Sequence, residues 1–192
     1  RTTFLTPAMR IDTIKQFARQ ANGTDSEDQR KLTDQLARQI QIESDPLVRK
    51  AIIDAAAEFR TPLAQQIVLA GLNDGSADVR RACCRALGNR AETLSVANLA
   101  TTLRDDEDTD VRVAAAEALG KIKSDAAMTA LVVALDDRDP ALQYVGIQSM
   151  KSITGKDYGG DVESWRLVAP GGDPPAPKAP SIAERIRRAA PF

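Results

Sequence analysis

Histidine is missing from all 192 residues. Its absence removes the commonest general base, the Ser/His and Cys/His nucleophile arrangements and any imidazole metal ligand. Most familiar hydrolase and zinc chemistry goes with it. Aromatic residues are only 4% of the chain, too few to furnish stacking platforms for single-stranded nucleic acid or sugars. Neither charge sign dominates. With 26 lysines and arginines against 27 aspartates and glutamates, the net charge is -1, which gives no bulk electrostatic footprint for nucleic acid or an anionic membrane. Long apolar runs are lacking too, and no stretch approaches the roughly 18 residues of a membrane span. Cysteine is confined to the adjacent Cys83 and Cys84, where a bridge would be badly strained; both are expected as small buried residues rather than redox or metal groups. Reduced thiols lean toward a cytoplasmic protein, while a start at Arg1 leaves open a removed leader, a lipid anchor or a further domain upstream. These absences favour binding over catalysis: no enzymatic activity, no cofactor and no metal are expected.

What is present is a repeat. Four segments superimpose: Asp45-Pro-Leu-Val-Arg-Lys-Ala-Ile-Ile-Asp-Ala-Ala, Ser76-Ala-Asp-Val-Arg-Arg-Ala-Cys-Cys-Arg-Ala-Leu-Gly, Asp108-Thr-Asp-Val-Arg-Val-Ala-Ala-Ala-Glu-Ala-Leu-Gly and Asp139-Pro-Ala-Leu-Gln-Tyr-Val-Gly-Ile-Gln-Ser-Met. Their starts lie 31, 32 and 31 residues apart, a period that signals stacked units rather than one globular core. The first column, Asp45, Ser76, Asp108 and Asp139, consists of side chains that accept hydrogen bonds from the free amides of a helix start. Pro46 and Pro140 follow where a missing amide hydrogen costs nothing. Val48, Val79, Val111 and Leu142 recur with Ala51, Ala82, Ala114 and Val145 three residues on, which places them on one helical face. Gly88 and Gly120 are expected where helices stop in a left-handed residue.

A second amphipathic segment precedes each of these, with leucines or isoleucines matched in 36–40, 67–72, 99–103 and 131–135. Each unit is a helical hairpin. The pattern predicts first helices over 27–42, 62–73, 93–104 and 125–136, and second helices over 46–59, 77–88, 109–121 and 140–153. An extra helix over 7–21 caps the stack or completes a hairpin begun upstream. The fold class is all-α: a solenoid of four hairpins over 27–154, preceded by a capping helix or partial repeat in 1–26. A C-terminal cap over 155–169 is expected to bury Trp165. Segment 170–180, with five prolines and two glycines, has the composition of an extended linker. Segment 181–192 opens with the capping-box pattern Ser181-Ile-Ala-Glu184 and predicts a short basic amphipathic helix.

In composite the repeat, Asp-Pro-x-Val-Arg-x-Ala-Ala-x-x-Ala-Leu-Gly, resembles the HEAT repeat, in the short bacterial form also found in phycobilin lyases. The resemblance covers residues 27–154. Repeats two and three match best, the fourth departs at Gln143 and Gly146, and the first lacks the closing Leu-Gly. It implies a right-handed α-solenoid with first helices on the convex side and second helices on the concave side, used mainly to bind other proteins. It also implies that the column Arg49, Arg80, Arg112 forms a ladder with acidic residues of neighbouring repeats. The alternative for that column is a stripe that binds an acidic segment or phosphate, since arginine makes bidentate contacts.

The expected function is a non-enzymatic scaffold that binds another protein through the concave face, with contacts at Arg49, Lys50, Arg80, Arg81, Arg112 and Gln143 and an acidic segment as one possible partner. Two alternatives stand beside it: a chromophore-handling protein like the bilin lyases, and a nucleic-acid-binding HEAT protein, against which the near-neutral charge argues. The acidic run Asp105, Asp106, Glu107, Asp108 with Asp110, and the set Asp157, Asp161, Glu163, are expected to solvate turns and helix starts rather than to hold cations. The C-terminal helix is expected to dock on a partner or a neighbouring chain; its two isoleucines are too little apolar area for firm membrane binding.

Overall fold

The computed structural model describes residues 6–169 and 171–172. The helices are α1 (Pro7–Ala18), α2 (Glu27–Ile42), α3 (Pro46–Glu58), α4 (Pro62–Ala70), α5 (Ala77–Arg90), α6 (Val96–Asp105), α7 (Thr109–Ile122), α8 (Asp125–Ala130), α9 (Val132–Leu135), α10 (Pro140–Thr154) and α11 (Val162–Val168). No strand occurs among the described residues. Four helices begin on a proline, at Pro7, Pro46, Pro62 and Pro140, where the fixed φ favours entry and no hydrogen bond is lost. The residue before each accepts an amide of the first turn through its side chain: Thr6 from Met9, Asp45 from Leu47, Thr61 from Ala64 and Asp139 from Ala141. Asp108 does the same for Val111 at 3.0 Å. Ser76 departs from the expectation, since it stands at the N-cap position of α5 with no side-chain capping bond.

The expected first helices are less regular than their leucine pattern suggests. The second ends as α-helix at Ala70 and finishes in a 3₁₀ turn, Gly71–Asn73, and the third begins with one, Thr93–Ser95. The fourth breaks at Leu131 into α8 and α9, with the Ala134 amide bonding to the Leu131 carbonyl at 3.0 Å. A Cβ on Gly146 of α10 would fall 2.8 Å from the Ala134 Cβ, so the tightened turn and the glycine together let α9 settle on α10. The N-terminal helix stops at Ala18 rather than residue 21. There the buried Gln29 draws the chain into a turn, donating to the Gln20 carbonyl at 2.9 Å and accepting from the Asn22 amide at 3.1 Å.

The second helices α1, α3, α5, α7 and α10 pack on one another in succession, and the first helices form the other layer. Gly88 and Gly120 are corrected by this packing. Neither ends a helix in the left-handed region; those positions are Ala91 (φ 54°) and Lys123 (φ 52°). The two glycines lie inside α5 and α7, where a Cβ on Gly88 would sit 2.7 Å from the Ala118 Cα and one on Gly120 would sit 2.7 Å from the Ser149 Cβ. Hydrogen in place of a side chain lets these helices touch along their backbones. The first-helix layer buries Leu36, Ile67, Leu99, Leu103, Leu131 and Leu135 instead. Small residues let the second helices approach closely at these crossings, and large ones fill the first-helix layer.

After α10, Gly155 (φ 67°) turns the chain, and α11 packs on α9 and α10. Trp165 is wholly buried there; its indole nitrogen donates to the Gly159 carbonyl at 3.1 Å, and its ring meets that of Tyr158 edge-on at 4.9 Å. Apart from residues 171 and 172, the Pro-rich segment 170–180 lies outside the described residues, as does the expected helix over 181–192.

Candidate concave binding face

The arginine column runs along the edge where first helices turn into second helices. Arg49 places Nε and Nη2 on the two carboxylate oxygens of Asp74, each at 2.8 Å, and turns Nη1 back onto the Ser44 carbonyl at 2.8 Å. Arg80 repeats this one unit later: bidentate contacts to Asp106 at 2.8 and 2.9 Å, and Nη1 on the Asp74 carbonyl at 2.9 Å. Arg112 bonds the Asp106 carbonyl at 3.0 Å, with Asp137 at 3.6 Å. Gln143 keeps only the carbonyl contact, to Asp137 at 2.7 Å. Each of the acceptors Asp74, Asp106 and Asp137 also takes the amide two residues on, so the carboxylate shapes its own turn while it holds the preceding repeat.

This geometry turns four of the six expected contact residues inward. Arg49, Arg80, Arg112 and Gln143 all bond within the protein, although Arg112 Nε approaches Asp137 only to 3.6 Å, and the arginine side chains are 19%, 9% and 18% exposed. The Asp74 hydrogen bonds hold Arg49 charged, raising its pKa above the ordinary value, and the reciprocal bonds hold the Asp74 carboxyl below the usual carboxylate range. Arg80 is likewise raised, by its hydrogen bonds to Asp106. The ladder has one more member, Arg10, which pairs with Glu43 at 3.0 Å. The signal for it is in the sequence: Thr6-Pro7-Ala8-Met9-Arg10 has the same order as Asp45-Pro46-Leu47-Val48-Arg49, so α1 stands in second-helix register.

Lys50 and Arg81 lie on the second helices α3 and α5, each with a carboxylate partner: Lys50 with Asp54 at 2.6 Å, and Arg81 with Asp78 and with Asp110, the latter at 3.1 Å. One turn further along each second helix lies a row that matters more. Lys15, Asp54, Arg85, Glu117 and Gln148 occupy the same register on α1, α3, α5, α7 and α10, and all are exposed. From Asp54 onward they recur at 31, 32 and 31 residues, the period of the caps. The sign alternates from helix to helix until the uncharged Gln148. Among the described residues, Lys15, Arg85 and Glu117 form no ion pair.

Two clefts open on this face. One, of about 410 Å³, lies between α1 and α3, with Lys15 and Arg19 on one wall, Asp54 and Glu58 on the other and alanines 18, 51 and 55 at its floor. The other, of about 430 Å³, lies between α7 and α10, with Glu117 and Lys121 facing Tyr144, Val145 and Gln148. Tyr144 is 63% exposed, an aromatic ring offered to solvent in a chain with few.

The acidic turns carry structural work. Asp105 pairs with Arg104, Asp106 with Arg80, Asp108 caps α7 and Asp110 meets Arg81. Asp157 takes Lys151 at 2.8 Å, Asp161 accepts from Ser164 at 2.7 Å, and Glu163 pairs with Arg166. Among the described residues no group of three or more such side chains is placed to hold a metal ion, and no helix is long and apolar enough to cross a membrane. Burial pushes the Cys84 thiol up to about 12 and the Cys83 thiol further in the same direction.

Stacked two-helix hairpins on this period define an α-solenoid. Residues 66–151 match the model of the HEAT repeats family, and this stretch is built of HEAT repeats. No curated protein matches it. Among solved structures, human deoxyhypusine hydroxylase in complex with glycerol is similar at 21% identity and a TM-score of 0.59, over 78% of this chain and 65% of that one. The likeness is one of fold, and the chain spans less than two thirds of the hydroxylase.

Proposed function

We propose that the protein is a non-enzymatic scaffold that binds a protein partner on the concave face formed by α1, α3, α5, α7 and α10. The observation that carries this reading is the exposed row Lys15, Asp54, Arg85, Glu117 and Gln148, which recurs on the period of the repeat and of whose charges only Asp54 has an ion-pair partner among the described residues, Lys50. It replaces the arginine column as the contact surface, and Lys50 and Arg81 flank it. Alternating signs fit a protein surface of mixed charge and offer no single-signed track for a phosphate backbone. The hydroxylase activity named for the structural neighbour is not carried over: the likeness supports fold alone, the chain has no histidine, and both thiols are buried.

The test is site-specific photo-cross-linking in cells. A cross-linker replaces Arg85 or Gln148 on the concave side, and Ala97 or Thr101 on α6 of the other layer. Capture of one protein from both concave positions and from neither α6 position supports the reading. Capture from α6 alone overturns it.

A further inference from the structure

The spacing and order of groups on the concave face describe the segment that would fit it. Packed helices lie about 8 to 10 Å apart, and three residues of polyproline-II chain span about 9 Å and bring the side chain back to the same side. An extended segment laid across the second helices therefore meets one helix every third residue. At α1, α3, α5 and α7 it meets Lys15, Asp54, Arg85 and Glu117, in the order positive, negative, positive, negative. One spacing further, at α10, the charge stops and the cleft of about 430 Å³ presents Tyr144 and Val145. The groups are accessible: all four charges are exposed, three form no ion pair among the described residues, and Asp54 shares Lys50 in an exposed i,i+4 contact.

We infer that the concave face takes an extended polypeptide segment in polyproline-II conformation, carrying charges of alternating sign at every third position and an apolar residue three positions beyond the last. Acidic residues meet Lys15 and Arg85, basic ones meet Asp54 and Glu117, and the apolar side chain lies against Tyr144 and Val145. The apolar end sets the order, because it fixes a basic residue opposite Glu117 whichever way the chain runs. This inference rests on the concave-face reading and names its partner class.

The experiment uses the full chain and two fluorescently labelled peptides of equal composition. The first reads Glu-Gly-Ser-Lys-Gly-Ser-Glu-Gly-Ser-Lys-Gly-Ser-Leu. The second exchanges the third and fourth charges, giving Glu-Gly-Ser-Lys-Gly-Ser-Lys-Gly-Ser-Glu-Gly-Ser-Leu. The first should bind about tenfold more tightly, because two exposed attractions become repulsions in the second. Its binding should weaken as salt is raised from about 0.05 M to about 0.5 M. The double variant Arg85→Glu/Glu117→Lys, checked for unchanged circular dichroism, should reverse the preference, and Tyr144→Ala should weaken the first peptide without altering its salt dependence. Equal binding of the two peptides, no binding of the first, or a preference that the double variant leaves unchanged overturns the inference. If the concave cross-linkers still capture a partner in that case, only the segment assignment falls; if they capture none, the face itself has been misread.

Discussion

Where α5 crosses α7 the contact is nearly backbone on backbone, with Gly88 against Ala118. In the other layer of the same two repeats, α4 and α6 bury Ile67, Val68, Leu99 and Leu103. One core is thus closed by two opposite means, removal of side chains on one side and addition of bulk on the other. The two layers differ in how closely their helices approach at these crossings.

The comparison breaks most severely at the ladder that pins successive repeats. Arg80→Met leaves Asp106, whose side chain is 7% exposed, without its guanidinium, and should cost about 3 to 5 kcal/mol in chemical denaturation. The same change at Arg112, whose carboxylate lies at 3.6 Å, should cost clearly less, and equal losses would show that the rungs do not differ as their distances suggest. Next comes the bulky layer. Leu99→Ala opens a cavity at a fully buried site and should lower stability by about 2 to 5 kcal/mol. Gly88→Ala sharpens the contrast, because adding one methyl to the tight layer should also destabilise, by about 1 to 3 kcal/mol. A stabilised Gly88→Ala variant, as helix propensity alone would give, would mean that α5 and α7 are not held in close contact.

The smallest effect is the pH dependence of a rung. Arg49 holds the Asp74 carboxyl below its ordinary range, so its contribution is complete above the unfolded carboxylate value of about 3.9 and fades as pH falls through the lower folded value. Asp74→Asn should therefore cost about 1 to 2 kcal/mol near neutrality, and the gap between variant and parent should narrow below about pH 4. Paired denaturation curves at neutral and acid pH measure this directly.

Much of the fold was legible because its local signals repeat. Asp45, Asp108 and Asp139 cap helices as their positions imply, and the leucine pattern located the first helices to within a broken turn. Gly88 and Gly120 were misread because a glycine near a helix end has two uses, a left-handed cap or a close crossing, and only the neighbouring helix distinguishes them. The site was less legible for a related reason. An arginine column reads alike whether its donors face a carboxylate of the next repeat or a groove, since the acceptors Asp74, Asp106 and Asp137 lie in turns that hydrophobic periodicity does not register. The alternating row was open to view, one turn beyond the column and on the same period, but a net charge near zero conceals ordered alternation as readily as it reflects disorder.

Gln143 has a consequence for length. Every earlier rung offers a cation to the next unit, whereas Gln143 keeps the bond to its own turn and carries no charge to extend; beyond it the chain folds down Trp165 instead. The charged column thus ends at Gln143, and the described chain beyond it is held by the buried Trp165 instead of by another rung. Restoring arginine at that position and grafting a copy of residues 60–90, a first helix followed by its second with Asp74 in the turn between, in place of the cap would be the rational way to grow the array.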